Sequence, residues 1–393
     1  MVFEIANWEK RMSWHAEHDF KVTISGGSVA GLCNAIVLRK LGATVSVHER
    51  TPGPMLARGA GIVVQNELLR LLEDNGAGPL PFTSCRGRRY LDHDGGDGIL
   101  QDMPQEFTSW EAVHAALRAA VPDECYRAGS EVKAVTQIGS RVSATLSDGT
   151  AIESDLFVAA DGSGSPTRQR LLPDVEARYA GYVAWRGTLD EGDVPRDLLP
   201  FFDDLFTFTE ARSGGHMLAY FIPGRDGAIS AGSRRLNWVW YVHVGLADLA
   251  NVLTDKNGVQ HRSSLPRGTT PEATIAALKA RASREIHPKM AALVSETRDP
   301  FLQTIRDVTV PKTLFGRILL TGDAAFVVRP HTAGGTAKAA YEASVLARAL
   351  KSARANVDVA LQSTEQLQLE YGGALYQYGL ALGNRWSRER STD

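Results

Sequence analysis

Apolar positions recur along this chain in two periods, and the change from one to the other divides it. Residues 20–24, with Phe20, Val22 and Ile24 apolar, read as a short buried strand followed by a Gly/Ser turn at 25–31. From 29 to 41 the apolar residues Leu32, Ile36, Val37 and Leu41 fall at helical spacing, and Gly42 closes the segment as a positive-φ glycine closes a helix. Residues 44–48 are a second strand, rich in β-branched residues, so 20–48 predicts a strand–helix–strand unit of about thirty residues. Helical patterns follow at 67–72 and 111–121. The segments 141–146 and 151–158 flank Ser147-Asp148-Gly149 and predict a β-hairpin. From 181 to 301 the aromatics become dense, alternating strands occur at 216–222 and 236–244, and polar stretches lie at 190–195 and 256–270. A strand at 317–320 resumes the first pattern, and helices at 337–350 and 358–379 end it, with helical character to about 385.

The fold class is therefore α/β, or α+β overall. A Rossmann-like dinucleotide-binding domain spans 20–180 and 302–393, including the C-terminal helices. A mostly antiparallel β-sheet substrate domain, 181–301, is inserted into it, and 1–19 form an N-terminal arm. Met12 also precedes the first strand, which leaves the start residue open.

Composition narrows the function. Lys plus Arg number 43 and Asp plus Glu 45, a net charge of −2, which argues against nucleic-acid and anionic-membrane partners. No apolar run reaches the roughly 18 residues of a membrane span, and the polar N-terminus has no secretory apolar region. Cys33, Cys85 and Cys125 have neither a disulfide framework nor metal-ligand spacing, so reduced thiols, a cytoplasmic location and no metal are expected. The 37 glycines direct attention to close backbone approaches.

Gly26-Gly27-Ser28-Val29-Ala30-Gly31 is a G-x-G-x-x-G turn with serine at the second glycine. Gly26 suits the tight turn, the small Ser28 lets a pyrophosphate approach, and Gly31 allows close helix–strand packing. The helix N-terminus offers free N–H groups and positive potential to phosphates. Glu49 ends the second strand, 18 residues beyond Gly31, where its carboxylate suits a ribose. An ordinary glycine turn would lack this strand–helix–carboxylate register.

Two further motifs carry a resemblance. Asp161-Gly162-Ser163-Gly164-Ser165-Pro166-Thr167-Arg168 follows the apolar strand 156–160, and Gly322-Asp323-Ala324-Ala325 is followed by Pro330 and Gly335. With the turn at 26 they resemble, in the family's order, the class A flavin-dependent aromatic monooxygenases of the para-hydroxybenzoate hydroxylase fold. Taken singly, Asp161 reads as a turn residue and Asp323 as a helix cap. The segments 59–65, 179–187, 222–225 and 329–331 resemble the dihydroxypyridine-hydroxylase branch. The resemblance implies FAD, with cofactor contacts at Gly26, Gly27, Ser28, Gly31, Glu49, Arg50, Gly61, Gln65, Val132, Asp161, Gly162, Arg168, Gly322, Asp323, Pro330, Gly335 and Thr336. Phe326 replaces the family's usual histidine, Ala333 a common glycine, and Trp110 stands near where an arginine often contacts the flavin.

The implied reaction is hydroxylation of a small electron-rich aromatic ring, a hydroxypyridine first, through a flavin C4a-hydroperoxide. NADH or NADPH serves as transient reductant and O2 as co-substrate. A single glycine fingerprint leaves the nicotinamide nucleotide without a Rossmann domain of its own. The alternatives are a phenolic hydroxylase, an epoxidising or oxidising flavoprotein of the same fold, and a non-catalytic binding protein. Trp238-Val239-Trp240 lacks the Ile-Pro of a halogenase signature. His216 and Tyr220 share one strand face and, with His331, are the candidate catalytic residues, a histidine being able to act as base near neutral pH. Each also has a bland reading: a surface His216, a core Tyr220. Trp238 and Trp240 read as core, and Arg186 faces either a substrate anion or a structural ion-pair partner. A homodimer is the assembly to test.

Overall fold

The structure, a computed structural model, describes residues 19–55, 61–93, 95–353 and 356–386. The expected N-terminal arm lies outside the described residues except for Asp19. The expected strand–helix–strand unit builds the centre of a six-stranded sheet. Across it run Leu314–Phe315, Ile318–Leu320, Leu156–Ala159, Lys21–Ser25, Thr44–Glu49 and Tyr126–Ala128, parallel except at the first pair.

Helix Val29–Lys40 packs Leu32, Ile36 and Val37 on one face of this sheet, and helix Gly335–Ser352 packs behind it with Ala340, Ala343 and Leu346. On the other face Phe157, Ala159, Ile318 and Leu320 meet a three-stranded sheet of Val132–Ile138, Arg141–Leu146 and Ala151–Ser154. Cover on both faces explains why the inner strands are apolar at nearly every position. Each such buried aliphatic side chain contributes about 1.5–3 kcal/mol.

The structure departs from the expected hairpin here. The segment 151–158 is two strands, broken at Asp155. Its N–H donates to the Lys21 carbonyl, and its carboxylate accepts from the Lys21 N–H and from Arg141, so the chain turns out of the small sheet into the parallel one.

The second sheet has nine strands, in the order Ser264–Leu265, Phe301–Asp307, Arg178–Asp190, Arg235–His243, His216–Ile222, Leu205–Glu210, Thr83–Leu91, Ile99–Ser109 and Gly61–Val63. All pairings are antiparallel except Leu205–Glu210 with Thr83–Leu91. This corrects the expected confinement of the sheet to 181–301. Strands from 61 to 109 complete it, because the sheet face they extend needs apolar cover that Phe107 and Cys85 supply beside Phe206 and Tyr220.

The inserted region also holds two helices that the alternation concealed, Glu272–Glu285 and Pro288–Glu296. Pro271 before the first and Pro288 at the start of the second were their sequence signals. They bury Leu278, Ala282, Met290 and Leu293 against Trp238, Trp240, Met217 and Phe221 on one sheet face. The core reading of both tryptophans holds; each is fully buried, and the Trp238 indole donates to Thr297 Oγ1 at 2.8 Å.

Helix Gly335–Ser352 carries a buried ion pair, Lys338 Nζ to Glu342 Oε1 at 3.3 Å. Glu342 Oε2 also accepts from the Thr321 hydroxyl at 2.8 Å and the Gly322 N–H at 2.6 Å, tying the helix to the loop after strand Ile318–Leu320. Glu342→Gln keeps the acceptor but leaves the Lys338 cation uncompensated. We expect a loss of about 3–5 kcal/mol of unfolding free energy, measured by urea denaturation.

Candidate active site

Three loops meet at the carboxyl ends of the parallel strands. Gly26 has φ +105°, and a Cβ there would lie 2.2 Å from the Ala160 carbonyl oxygen. The first turn therefore rests directly on the Asp161 loop, and only glycine fits. The loop at Gly322 is equally close to the first helix, since a Cβ there would stand 2.5 Å from that of Ala30.

Arg168 joins the second and third loops. Its fully buried side chain donates to the carbonyls of Ser163 at 2.6 Å, Asp323 at 3.3 Å and Ala324 at 3.1 Å. Through Nη1 and Nη2 Arg168 positions the two loops, while its Nε is left without a partner among the described residues. Glu49 accepts from the N–H groups of Gly27 and Thr51, both at 2.9 Å, which fixes its carboxylate beside the turn. Arg50 is exposed next to it. Val132 turns its side chain into the core with Val142 and Ala144, away from any ligand.

From this junction a cavity of about 1010 Å³ runs to the large sheet. Its lining includes Gly61, Gln65, His216, Tyr220, Asp323, Pro330, His331, Gly335 and Thr336 from the expected set. The others, Gly26 to Gly31, Glu49, Arg50, Val132, Asp161, Gly162, Arg168 and Gly322, lie outside that lining; those of the turn, Asp161 and Gly322 belong to the loop junction. The N-terminus of helix Gly335–Ser352 has no side-chain cap, so its first-turn N–H groups and their positive potential face the cavity.

Sheet register makes the cavity wall. His216, Leu218 and Tyr220 point to one face, with Tyr241, Val239 and Asn237 opposite them on the next strand. Arg186 lies beyond Val239. The loop bearing His331 closes this wall. The ring centroids of His331 and Tyr241 are 4.4 Å apart, those of His331 and His216 5.2 Å, and Tyr182 Oη is 2.8 Å from His331 Nε2. A buried fork from Arg329 to Asp307, 2.9 and 2.7 Å, anchors that loop to the sheet.

Burial controls the protonation of this wall. It lowers the His331 pKa to about 3, with the Arg329 and Arg186 cations adding to the effect. It lowers His216 well below the ordinary value, with His331 adding to the effect, and raises the Tyr220 phenol. Burial thus favours the neutral form of both imidazoles, which suits them to hydrogen bonding and makes them weak proton carriers. Asp323 is accessible from the cavity yet deep in the protein. That surrounding mass raises its pKa, Glu342 raises it further, and Lys338 and Arg168 oppose the shift.

The departures from the family pattern have local causes. Phe326 is buried against helix Val357–Trp386 at Gly372, where a Cβ would stand 2.4 Å from its ring. Ala333 adopts φ +52°, the left-handed conformation that favours glycine, at a cost of about 1 kcal/mol. Trp110 lines the cavity and stacks on His114, whose Nε2 lies 3.2 Å from the Gly27 carbonyl oxygen. His114, Tyr182 and Tyr241 were missed in the sequence. Alternation placed Tyr241 on the face of Asn237, but no local pattern joins either tyrosine to His331.

A dinucleotide turn at one end and an aromatic cavity at the other define a redox enzyme that works on a small ring beside a bound dinucleotide. Two buried oxygens without partners among the described residues, Asp161 Oδ1 and Thr336 Oγ1, lie one at the loop junction and one on the cavity wall, where a flavin dinucleotide spanning both would find them. Residues 179–307 match the family model described as FAD binding domain-like. The chain is 35% identical over 370 residues to 2,6-dihydroxypyridine 3-monooxygenase of Paenarthrobacter nicotinovorans, covering 90% of this chain and 88% of that one. It is 27% identical over 352 residues to 6-hydroxynicotinate 3-monooxygenase of Pseudomonas fluorescens, covering 86% and 84%. The solved 2,6-dihydroxypyridine-3-hydroxylase of Arthrobacter nicotinovorans superposes with a TM-score of 0.88 at 32% identity, covering 95% of both chains. The chain belongs to the FAD-dependent aromatic monooxygenases, and its function is flavin-dependent hydroxylation of an aromatic ring.

Two tests follow from this geometry. Arg168→Met removes the link between the 161 and 323 loops and should weaken FAD retention about tenfold or more, read as the flavin-to-protein ratio after gel filtration. For His331, the folded pKa of about 3 lies below the ordinary 6.5, so the unfolded chain takes up the proton first as pH falls. Stability is full above about pH 6.5 and is lost toward pH 3, with this group contributing up to about 1.4 kcal/mol per pH unit. His331→Asn should flatten that slope in urea titrations across the acid range.

Proposed function

We propose that this enzyme hydroxylates a small electron-rich N-heteroaromatic ring, a hydroxypyridine, using NADH or NADPH and O2. The observation that carries this reading is the polar but uncharged trio of His216, Tyr220 and His331 on one wall of a cavity that opens onto the Thr336 helix terminus. A ring bearing hydroxyl and ring-nitrogen groups finds hydrogen-bond partners there that a plain hydrocarbon would leave buried and unsatisfied.

On this reading the Gly26–Gly31 turn and the first helix N-terminus hold the pyrophosphate, Glu49 the adenosine ribose, and Asp323 the ribityl chain. The N–H groups at Gly335 and Thr336 would offer donors and positive potential to the flavin ring. Bound FAD supplies the activation of oxygen. The protein's own work is to place the ring carbon, to exclude water and to orient the ring hydroxyl. Tyr182 fixes the His331 ring through its hydrogen bond at Nε2, and Phe206, Phe208 and Leu218 cover the apolar side. The free thiols of Cys33, Cys85 and Cys125 support a reducing, cytoplasmic setting.

The test is oxidation of NADH or NADPH by purified holoprotein with 2,6-dihydroxypyridine. We expect stimulated oxidation and a product heavier by one oxygen atom; stimulation by no hydroxypyridine sinks the substrate assignment. His216→Ala should raise KM about three- to tenfold and increase peroxide released per NADH. Unchanged KM and coupling would remove His216 from the site.

A further inference from the structure

Three arginines line the cavity, Arg88, Arg186 and Arg329. Arg329 is neutralised by Asp307. Arg88 donates from Nε to Gln105 at 2.8 Å and lies against the rings of Phe206 and Phe208. Arg186 differs from both. Like Arg88 it pairs with no carboxylate among the described residues, but unlike Arg88 its Nε is buried without a hydrogen-bond partner there. The two arginines that follow one another near the same sheet each have a carboxylate, Arg234 with Glu191 and Arg235 with Glu111. Of the two sequence readings of Arg186, the structural ion pair is the one not formed.

Its position is central. Arg186 registers with Val239, which registers with Leu218, and this row runs between the row of Tyr220 and Asn237 and the row of His216 and Tyr241. Facing it from the other elements are Tyr220 and His216, Tyr241, His331 and Arg329, with Glu210 at the far edge opposite His216. Asn237 is fully buried and its Nδ2 has no partner, so a second donor is left unanswered beside the same wall. Arg186 is half-buried in the cavity wall, and a cation held there without a counter-charge forms a strong charge-assisted hydrogen bond with an anion that a ligand delivers.

We propose that Arg186 is the counter-charge for a ring oxyanion, so that the cavity takes its aromatic substrate as the monoanion. This deepens the hydroxypyridine reading and rests on it. The neighbouring side chains show why the charge must arrive with the ligand. His216 and His331 are held neutral by burial, and protonating either beside Arg186 is unfavourable. The proton of the ring hydroxyl is therefore left in water before entry, and the substrate enters with its electron pair. An anionic ring is richer in electrons at the carbons ortho and para to the oxyanion, which suits attack on an electrophilic oxygen. Arg186 thereby acts as a specificity residue.

The test is binding to the oxidised holoprotein, followed by the change in the flavin visible spectrum. The probes are 2,6-dihydroxypyridine above its own pKa, as the anion, and 2-pyridone, a neutral ring of similar shape. Arg186→Gln should weaken the anionic probe about 10- to 100-fold and leave 2-pyridone within about twofold. Arg186→Lys should recover part of the loss. Because Arg186 makes no ion pair among the described residues, Arg186→Gln should keep its FAD content and Tm.

Equal losses for both probes, or no loss for either, overturn the proposal while leaving the hydroxypyridine reading intact. A variant that sheds FAD or unfolds assigns Arg186 a structural role and overturns it too. If 6-hydroxynicotinate alone depends on Arg186, the residue pairs with a ring carboxylate and the oxyanion assignment is wrong. A wild-type protein that binds none of these rings removes the underlying reading and the proposal with it.

Discussion

The buried guanidinium of Arg168 is the interaction on which the cofactor end depends. It bridges Ser163 to Asp323 and Ala324, so two loops 160 residues apart in the chain move as one. A cation donating to several carbonyls in a low-dielectric interior is a strong constraint, since any loop shift strands a buried charge. The Gly26 turn rests on the same junction through Ala160, and Glu342 fixes it from behind through Thr321 and Gly322. Helix Gly335–Ser352 is thereby aimed, and with it the N–H groups that face the cavity.

The cavity follows the opposite electrostatic rule. At the loop junction the Arg168 cation is buried among carbonyls; along the sheet wall His216, Tyr220 and His331 are buried and kept neutral. His331 shows the balance. Its ring is oriented by Tyr182, its loop is anchored by the fork between Arg329 and Asp307, and the same Arg329 disfavours its protonation. A wall of neutral donors and acceptors binds a polar ring without competing for its proton. Within that wall the buried Nε of Arg186 has no partner among the described residues, which suits it to an anionic ligand.

The departures from the family pattern are compensated locally. Phe326 exchanges a polar side chain for packing on Gly372, which brings the C-terminal helix against the loop. Ala333 accepts left-handed backbone so that the turn after Pro330 can keep its course into helix Gly335–Ser352. Trp110 presents a flat ring to the cavity and stacks on His114, which reaches the Gly27 carbonyl. Cavity and phosphate turn are linked through that stack, a contact that residue types alone do not reveal.

The sequence by itself determined what depends on neighbours along the chain. The first strand–helix–strand unit, the glycine turn with Glu49, the helices near the C-terminus and the common face of His216 and Tyr220 all follow from periodicity and turn chemistry, which act over a few residues. Motif order carried the family. Only the tertiary structure decided what depends on distant partners: the break at Asp155, the recruitment of 61–109 into the large sheet, and the turning of Arg168 inward. It also decided the company His331 keeps. The reason is physical: burial and pairing set a side chain's charge and role, and the partners that decide them here include residues far along the chain, as Tyr182 is from His331.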